Sequence, residues 1–384
     1  MSKPRLLLHI GHPKTGTTSI QTFLLANRTA LRRHGVLYPE TGIHDSAHRL
    51  LSPAFFSAAG LENRAPAHMA SLLAEIQAAA CPVIVLSFEG FCGDNPASFT
   101  ALRDRFDVTV IYYVRRQDLI AESRYAQHVR SFLMQEVRPA SEAVHRKGFA
   151  PDYLRVLRLY EAVFGRGRLI VRAFERNALV NRDLIDDFLS AAEIPRAPEY
   201  VPSTSSNASL KRPYLAFKRH CNLLPYLDDE QKRLNKNLND LSQADPAPSL
   251  GHLLSPVERR NLFESQQADN AETARTYLGR ADGVLFHDPP PPPDDPWEPL
   301  RPLDPDAQRA IVEKLSPENR DCLEFLHRPA RLALPGDPLL PDLPDGNPAE
   351  LARLLEKRHV RQCQRRLAVL EQLASRLAGG PGRS

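Results

Sequence analysis

Eight residues near the amino terminus, Gly11-His12-Pro13-Lys14-Thr15-Gly16-Thr17-Thr18, bring together two glycines, one lysine and three threonines. They follow a short apolar run and open a stretch with helical spacing, the position where backbone N–H groups and a helix dipole make an anion site. The two glycines stand at the separation found in the nucleotide loop GxxxxGK, but Thr17 occupies the lysine's place and the lysine has moved forward to Lys14. A nucleotide hydrolase of that type also needs a strand-end Asp to hold magnesium. Here the apolar run Val108 to Val114 ends in Arg115-Arg116. Two cations therefore stand where a metal ligand is expected.

Two further constellations belong with the loop. Arg115 offers a planar fork for a phosphate, and Ser123, eight residues later in a helical stretch, adds a hydroxyl expected beside the positive end of the helix dipole. The segment Cys81 to Cys92, CPVIVLSFEGFC, is a buried strand whose far end carries Ser87 and Glu89. Ligand crevices in open parallel sheets lie at the carboxyl ends of the strands, so Glu89 is a candidate base. His12, His44 and His48 are rivals for the same role.

The elements that must carry these residues alternate. Strands are expected over Leu6–Ile10, Val83–Leu86, Val108–Val114 and Arg168–Val171, and helices over Ser19–Arg32, Ala67–Ala80, Leu119–Leu133 and Asp152–Phe164. Asn181–Ala192, Ser209–Cys221 and Leu262–Tyr277 read as further helices. Such alternation implies an α/β fold, a parallel sheet covered by helices on both faces.

The string Pro13-Lys14-Thr15-Gly16-Thr17-Thr18 resembles the 5′-phosphosulfate-binding loop of sulfotransferases that use 3′-phosphoadenosine 5′-phosphosulfate (PAPS). Arg115 with Ser123 resembles the same family's 3′-phosphate motif. The resemblance covers about residues 5 to 286, and Arg172-Ala173-Phe174-Glu175, Asp183 to Ile194 and Ser206-Asn207-Ala208-Ser209-Leu210 look most like a bacterial, carbohydrate-type branch. It implies a P-loop NTPase-like sulfotransferase fold that binds PAPS as donor co-substrate without a metal. The implied donor-binding residues are His12, Pro13, Lys14, Thr15, Gly16, Thr17, Thr18, Arg115 and Ser123. Lys14 would steady the leaving group, with Glu89 or His48 as base for a hydroxyl or amine acceptor, by analogy a carbohydrate. A sulfuryl group bears less negative charge than a phosphoryl, which suits one ammonium and backbone donors. Two departures stand out: Ser19 replaces the tryptophan usual after the double threonine, and no late RKGxxGxxK loop is present. Lys211 and Arg212 are the candidates to compensate.

Composition narrows the remaining classes. With 42% hydrophobic and 25% charged residues and a formal net charge of +4, the chain of 384 residues reads as globular, and nucleic acid is not expected as a partner. The cationic excess is local: in the first fifty residues Lys3, Arg5, Lys14, Arg28, Arg32, Arg33 and Arg49 face only Glu40 and Asp45. Five scattered cysteines without a CxxC pair, and no apolar run of spanning or signal length, point to a reducing, cytoplasmic setting. Residues 1–286 are expected to form the sulfotransferase domain, 287–300 a stiff proline-rich linker, and 301–384 a helical extension. That extension includes a leucine- and arginine-rich helix from Asn347 to Gly379, suited to docking on the main domain or pairing with a second copy. A small-molecule P-loop kinase and a non-catalytic nucleotide-binding or assembly protein are the alternative readings.

Overall fold

The computed structural model describes residues 3–58, 61–131, 134–145, 149–202, 209–222, 228–246, 251–289 and 292–323. The helix expected at 347–379, and with it most of the expected extension, lies outside the described residues, as do Ser206, Asn207 and Ala208.

The chain forms two compact units that interleave in sequence: Met1–Ser123, Lys147–Asn207 and Pro256–Pro296 make one, and Arg124–Arg146, Ala208–Ser255 and Trp297–Ser384 the other. The first unit holds a five-stranded sheet of β1 (Arg5–His9), β2 (Val36–Leu37), β3 (Val83–Ser87), β4 (Asp107–Val114) and β5 (Leu169–Ala173). Their order is β2-β3-β1-β4-β5, and every pair is parallel. The protein is therefore an α/β protein with a parallel sheet flanked by helices, as the alternation implies.

Alternate side chains of each strand feed opposite faces of the sheet. Leu6, Leu8, Ile84, Leu86, Val110 and Tyr112 pack on one face with Leu72, Ile76, Leu157 and Tyr160. Leu7, Val85, Ile111 and Tyr113 pack on the other with Ile20, Phe23, Leu24 and Phe188. Burial on both faces explains why β1, β3 and β4 read as nearly unbroken apolar runs. β1 lies at the centre, with β3 on one side and β4 on the other. Strand order reverses there, so the carboxyl ends of β1, β3 and β4 border the crevice where open sheets bind ligands.

The first helix, α1, covers Thr17–Ala26, and a separate short helix follows over Arg28–Arg33. The single helix expected through Arg32 is broken at Asn27. Its side-chain amide donates to the carbonyls of Phe23 at 2.9 Å and Val201 at 3.0 Å, and its oxygen accepts from Val201 N at 2.8 Å. The stretch expected as one helix to Tyr277 is likewise two, Pro256–Glu264 and Gln267–Tyr277.

The second unit is helical over Arg212–Cys221, Asp228–Ala244, Pro305–Lys314 and Pro317–Leu323. Lys218 is fully buried there and donates to Asn222 Oδ1, while Asn222 Nδ2 reaches the carbonyls of Val129 and Glu136. Burial lowers the Lys218 pKa to about 8. Among the described residues no helix is long and apolar enough to cross a membrane.

Candidate functional site

The loop between β1 and α1 turns through three residues with positive φ: Gly11 at 27°, Lys14 at 74° and Gly16 at 78°. Lys14 is the exception, since an L-residue with a side chain rarely adopts that conformation and does so mainly where the surroundings enforce it. Gly16 is fixed twice over. A Cβ on it would lie 2.2 Å from Leu184 Cδ2 and 3.1 Å from Phe174 Cε2. Gly16 caps α1 with no side-chain hydrogen bond, and the first turn contains no acidic residue. The opening of the helix thus carries neither a capping side chain from Gly16 nor a negative charge in its first turn, which favours an anion there.

Within the loop, Thr15 donates both its N–H and its hydroxyl to the carbonyl of His12, at 3.2 and 2.6 Å. Thr15 therefore serves the shape of the loop, and its hydroxyl proton is not available to a ligand. His12 is buried, directs Nδ1 to the carbonyl of Pro13 at 2.9 Å, and meets the Tyr153 ring edge-on at 5.6 Å. Thr17 is buried, with its methyl 2.5 Å from the place a Cβ on Gly11 would take, while Thr18 is half-exposed.

Arg115, just past the end of β4, donates from Nη1 to the carbonyl of Lys14 at 3.0 Å. Its guanidinium lies over the Phe174 ring at 5.6 Å, and its backbone is held by the Tyr153 hydroxyl, which accepts from Arg115 N at 3.0 Å. The same phenyl ring that crowds Gly16 thus carries Arg115. Burial pulls the Arg115 pKa below its ordinary value, opposed by Tyr153, Asp118 and Glu122. Among the described residues no carboxylate lies within ion-pair distance of it. Its neighbour Arg116 is the reverse case, buried and paired with Asp118 at 2.8 Å. Arg116 also donates to the carbonyls of Asp288 and Pro289, so the start of the proline run is tied to this unit. Of two adjacent arginines, one is neutralised and one is left facing neutral acceptors.

Ser123 does not stand where the helix-dipole expectation put it. The helix starts at Gln117, so Ser123 falls in its second turn, beyond the reach of the terminal dipole; it is half-buried and its hydroxyl makes no hydrogen bond among the described residues.

Glu89 opens a short 3-10 turn directly after β3 and accepts at Oε2 from Gln21 Nε2 at 2.8 Å. Gln21 is buried in α1, one turn beyond Thr17, so the carboxylate is tethered to the same helix that begins at the loop. His48 is fully buried, with Nδ1 accepting from Ser87 N at 3.2 Å and Nε2 set against the carbonyl of Pro39 at 3.1 Å. A carbonyl can only accept, so Nε2 carries the proton and neither nitrogen remains to act as a base. Burial brings its pKa down to about 4. The expectation of His48 as a base therefore gives way to a framework role. His44 is exposed and lies 3.3 Å from Asp45. Lys211 and Arg212 belong to the second unit. Lys211 donates to the carbonyl of Asp245, and Arg212 to those of His252 at 2.9 Å and Glu298 at 2.5 Å.

Sequence reasoning missed four residues: Gln21, Tyr153, Phe174 and His9. His9 ends β1, is fully buried, and bonds Ser87 Oγ through Nδ1 at 2.7 Å, so Ser87 is held by two histidines. A polar residue inside an apolar strand was the available signal for His9. The others depend on contacts distant in sequence.

Sheet order and connectivity together define an α/β protein with the β1–α1 loop at the switch point of the sheet. No family model matches the chain. An uncharacterized protein of Archaeoglobus fulgidus is 25% identical over 269 residues, spanning 65% of this chain and 67% of that protein. Among solved structures, the chain is similar to a sulfotransferase from Alicyclobacillus acidocaldarius, at 19% identity over 58% of this chain and 93% of that one, with a TM-score of 0.36. It is also similar to the sulfotransferase domain of the curacin biosynthetic pathway (12% identity, 54% and 79% covered, TM-score 0.30). A third likeness is to the sulfotransferase domain of the Synechococcus PCC 7002 olefin synthase (13% identity, 65% and 98% covered, TM-score 0.29).

Proposed function

We propose that the protein is a sulfotransferase that moves a sulfuryl group from PAPS to a hydroxyl or amine, with a carbohydrate as the acceptor class. The observation that carries this reading is the 3.0 Å hydrogen bond from Arg115 to the carbonyl of Lys14. It joins the loop suited to a 5′-phosphosulfate to a half-buried guanidinium with no carboxylate partner among the described residues, which suits the 3′-phosphate that ATP lacks.

In this reading the opening amides of α1, with Thr17 and Thr18, hold the 5′-phosphate, and Lys14 neutralises charge on the leaving oxygen. Glu89 takes the proton of the attacking oxygen or nitrogen as the acceptor–sulfur bond forms and the sulfur–bridging-oxygen bond breaks. The products are the sulfated acceptor and 3′-phosphoadenosine 5′-phosphate, with the proton on Glu89. Gln21 keeps that carboxylate beside α1.

Replacing Lys14 with Ala tests the assignment. Transfer from PAPS to a saccharide panel should be abolished while the thermal unfolding profile stays in place. Unchanged turnover would refute it. Magnesium-dependent phosphoryl transfer from ATP would favour the kinase alternative, and tight nucleotide binding without transfer to any acceptor would favour the non-catalytic one.

A further inference from the structure

At the opposite edge of the sheet, where the strands begin, lies an open groove of about 920 Å³. It sits beside the helix Ala65–Ala79, which presents Ala70 and Ala74 one turn apart; both are exposed and too small to fill the space. Its apolar floor includes Leu73, Ile76, Val83 and Phe106, and Cys81 lines it as a half-buried free thiol. The size is within the range of small-molecule sites.

The charge around it is one-sided. Lys3, Arg5 and Arg105 line the groove and no carboxylate does. Nearby acids are already paired: Glu193 with Arg5 at 2.8 Å, Asp104 with Arg103 at 3.0 Å, and Asp107 with Arg168 at 2.6 Å. Arg105 has no ion pair among the described residues, and Lys3 reaches only the carbonyl of Arg103 at 3.5 Å. An apolar floor with two uncompensated cations at its edge selects a ligand that is greasy along its length and anionic at one end. From Ala70 to Gln77 the helix runs about 10 Å, which sets a medium chain length. β1 runs from this groove to the loop, so the groove stands roughly 15 Å from the site described above.

We propose that the groove binds a medium-chain aliphatic carboxylate, with the chain along Ala70, Ala74 and Phe106 and the carboxylate between Lys3 and Arg105. The test titrates the full-length protein with decanoate by calorimetry and follows iodoacetamide alkylation of Cys81 by mass spectrometry, with Cys92 as internal reference. Saturable binding with one site is expected, together with at least tenfold slower alkylation of Cys81 and no change at Cys92. Filling the groove by Ala74→Trp, at an exposed position, should remove both effects. Arg105→Glu should weaken binding at least tenfold, and decanol should bind at least tenfold more weakly than decanoate. Undiminished binding in Ala74→Trp, equal binding of decanol, or protection of Cys81 by an acidic amphipathic peptide but not by decanoate would overturn the proposal.

Discussion

The guanidinium of Arg115 and the main-chain carbonyl of Lys14, 101 residues apart in sequence, are joined by a 3.0 Å hydrogen bond. The bond places the end of β4 against the loop after β1, on a phenyl ring that also backs Gly16. Arg115 and Arg116 should therefore fail differently when truncated. Arg115→Ala should weaken 3′-phosphoadenosine 5′-phosphate binding by about 10- to 100-fold, the worth of one or two charged hydrogen bonds, and ADP binding much less. Arg116→Ala removes the nearer of two cations from the buried Asp118, leaving Arg259 at 3.6 Å, and should cost about 1.5–3 kcal/mol of stability in denaturant melts. Equal losses for both nucleotides in Arg115→Ala would remove the 3′-phosphate role.

Gly16 admits no side chain. Gly16→Ala must accept φ near 78° and a contact of 2.2 Å with Leu184. A loss of about 2–4 kcal/mol is expected from backbone strain and overpacking, with nucleotide affinity falling alongside. Wild-type stability and affinity in this variant would show that the loop is not held as described.

Glu89→Gln keeps shape and removes basicity. Turnover should drop by about 10²- to 10⁴-fold, the usual worth of a general base, while the dissociation constant for 3′-phosphoadenosine 5′-phosphate stays within twofold. Gln21→Ala should lower turnover less, because it frees the carboxylate without removing it. Full activity of Glu89→Gln would transfer the base role elsewhere.

Acid sensitivity follows from two of the buried histidines, His9 and His48. Burial lowers the pKa of His48 to about 4 and that of His9 to about 3, against an ordinary 6.5. Between those values the unfolded chain binds more protons than the folded one. The stabilisation is complete above pH 6.5 and is lost as pH falls toward 4, by up to about 1.4 kcal/mol per pH unit for each histidine. His48→Gln should flatten the slope of unfolding free energy between pH 5 and 6.5; an unaltered slope would show that His48 titrates normally in the folded protein.

Much of this arrangement was legible in the sequence, for identifiable reasons. β1, β3 and β4 are buried on both faces and so appear as apolar runs, whereas β2 is only Val36–Leu37 and offers no period to detect. The helical spacing that continues to Leu31 hides the break at Asn27, because the partner that breaks it is Val201. Lys14 and Arg115 could be picked out because loop spacing and strand ends are local properties. Gln21, Tyr153 and Phe174 could not, since each acquires its role only when distant segments meet. His48 illustrates the converse: its residue type suggests a base, and only the backbone of Ser87 and Pro39 reveals both nitrogens as occupied.

The most direct measurement is a calorimetric titration of the wild-type protein with 3′-phosphoadenosine 5′-phosphate, ADP and ATP, each with and without magnesium. Affinity for the 3′-phosphorylated nucleotide should exceed that for ADP at least tenfold and be indifferent to magnesium. Equal affinities, or ATP bound most tightly and only with magnesium, would contradict a site built on Lys14 and Arg115.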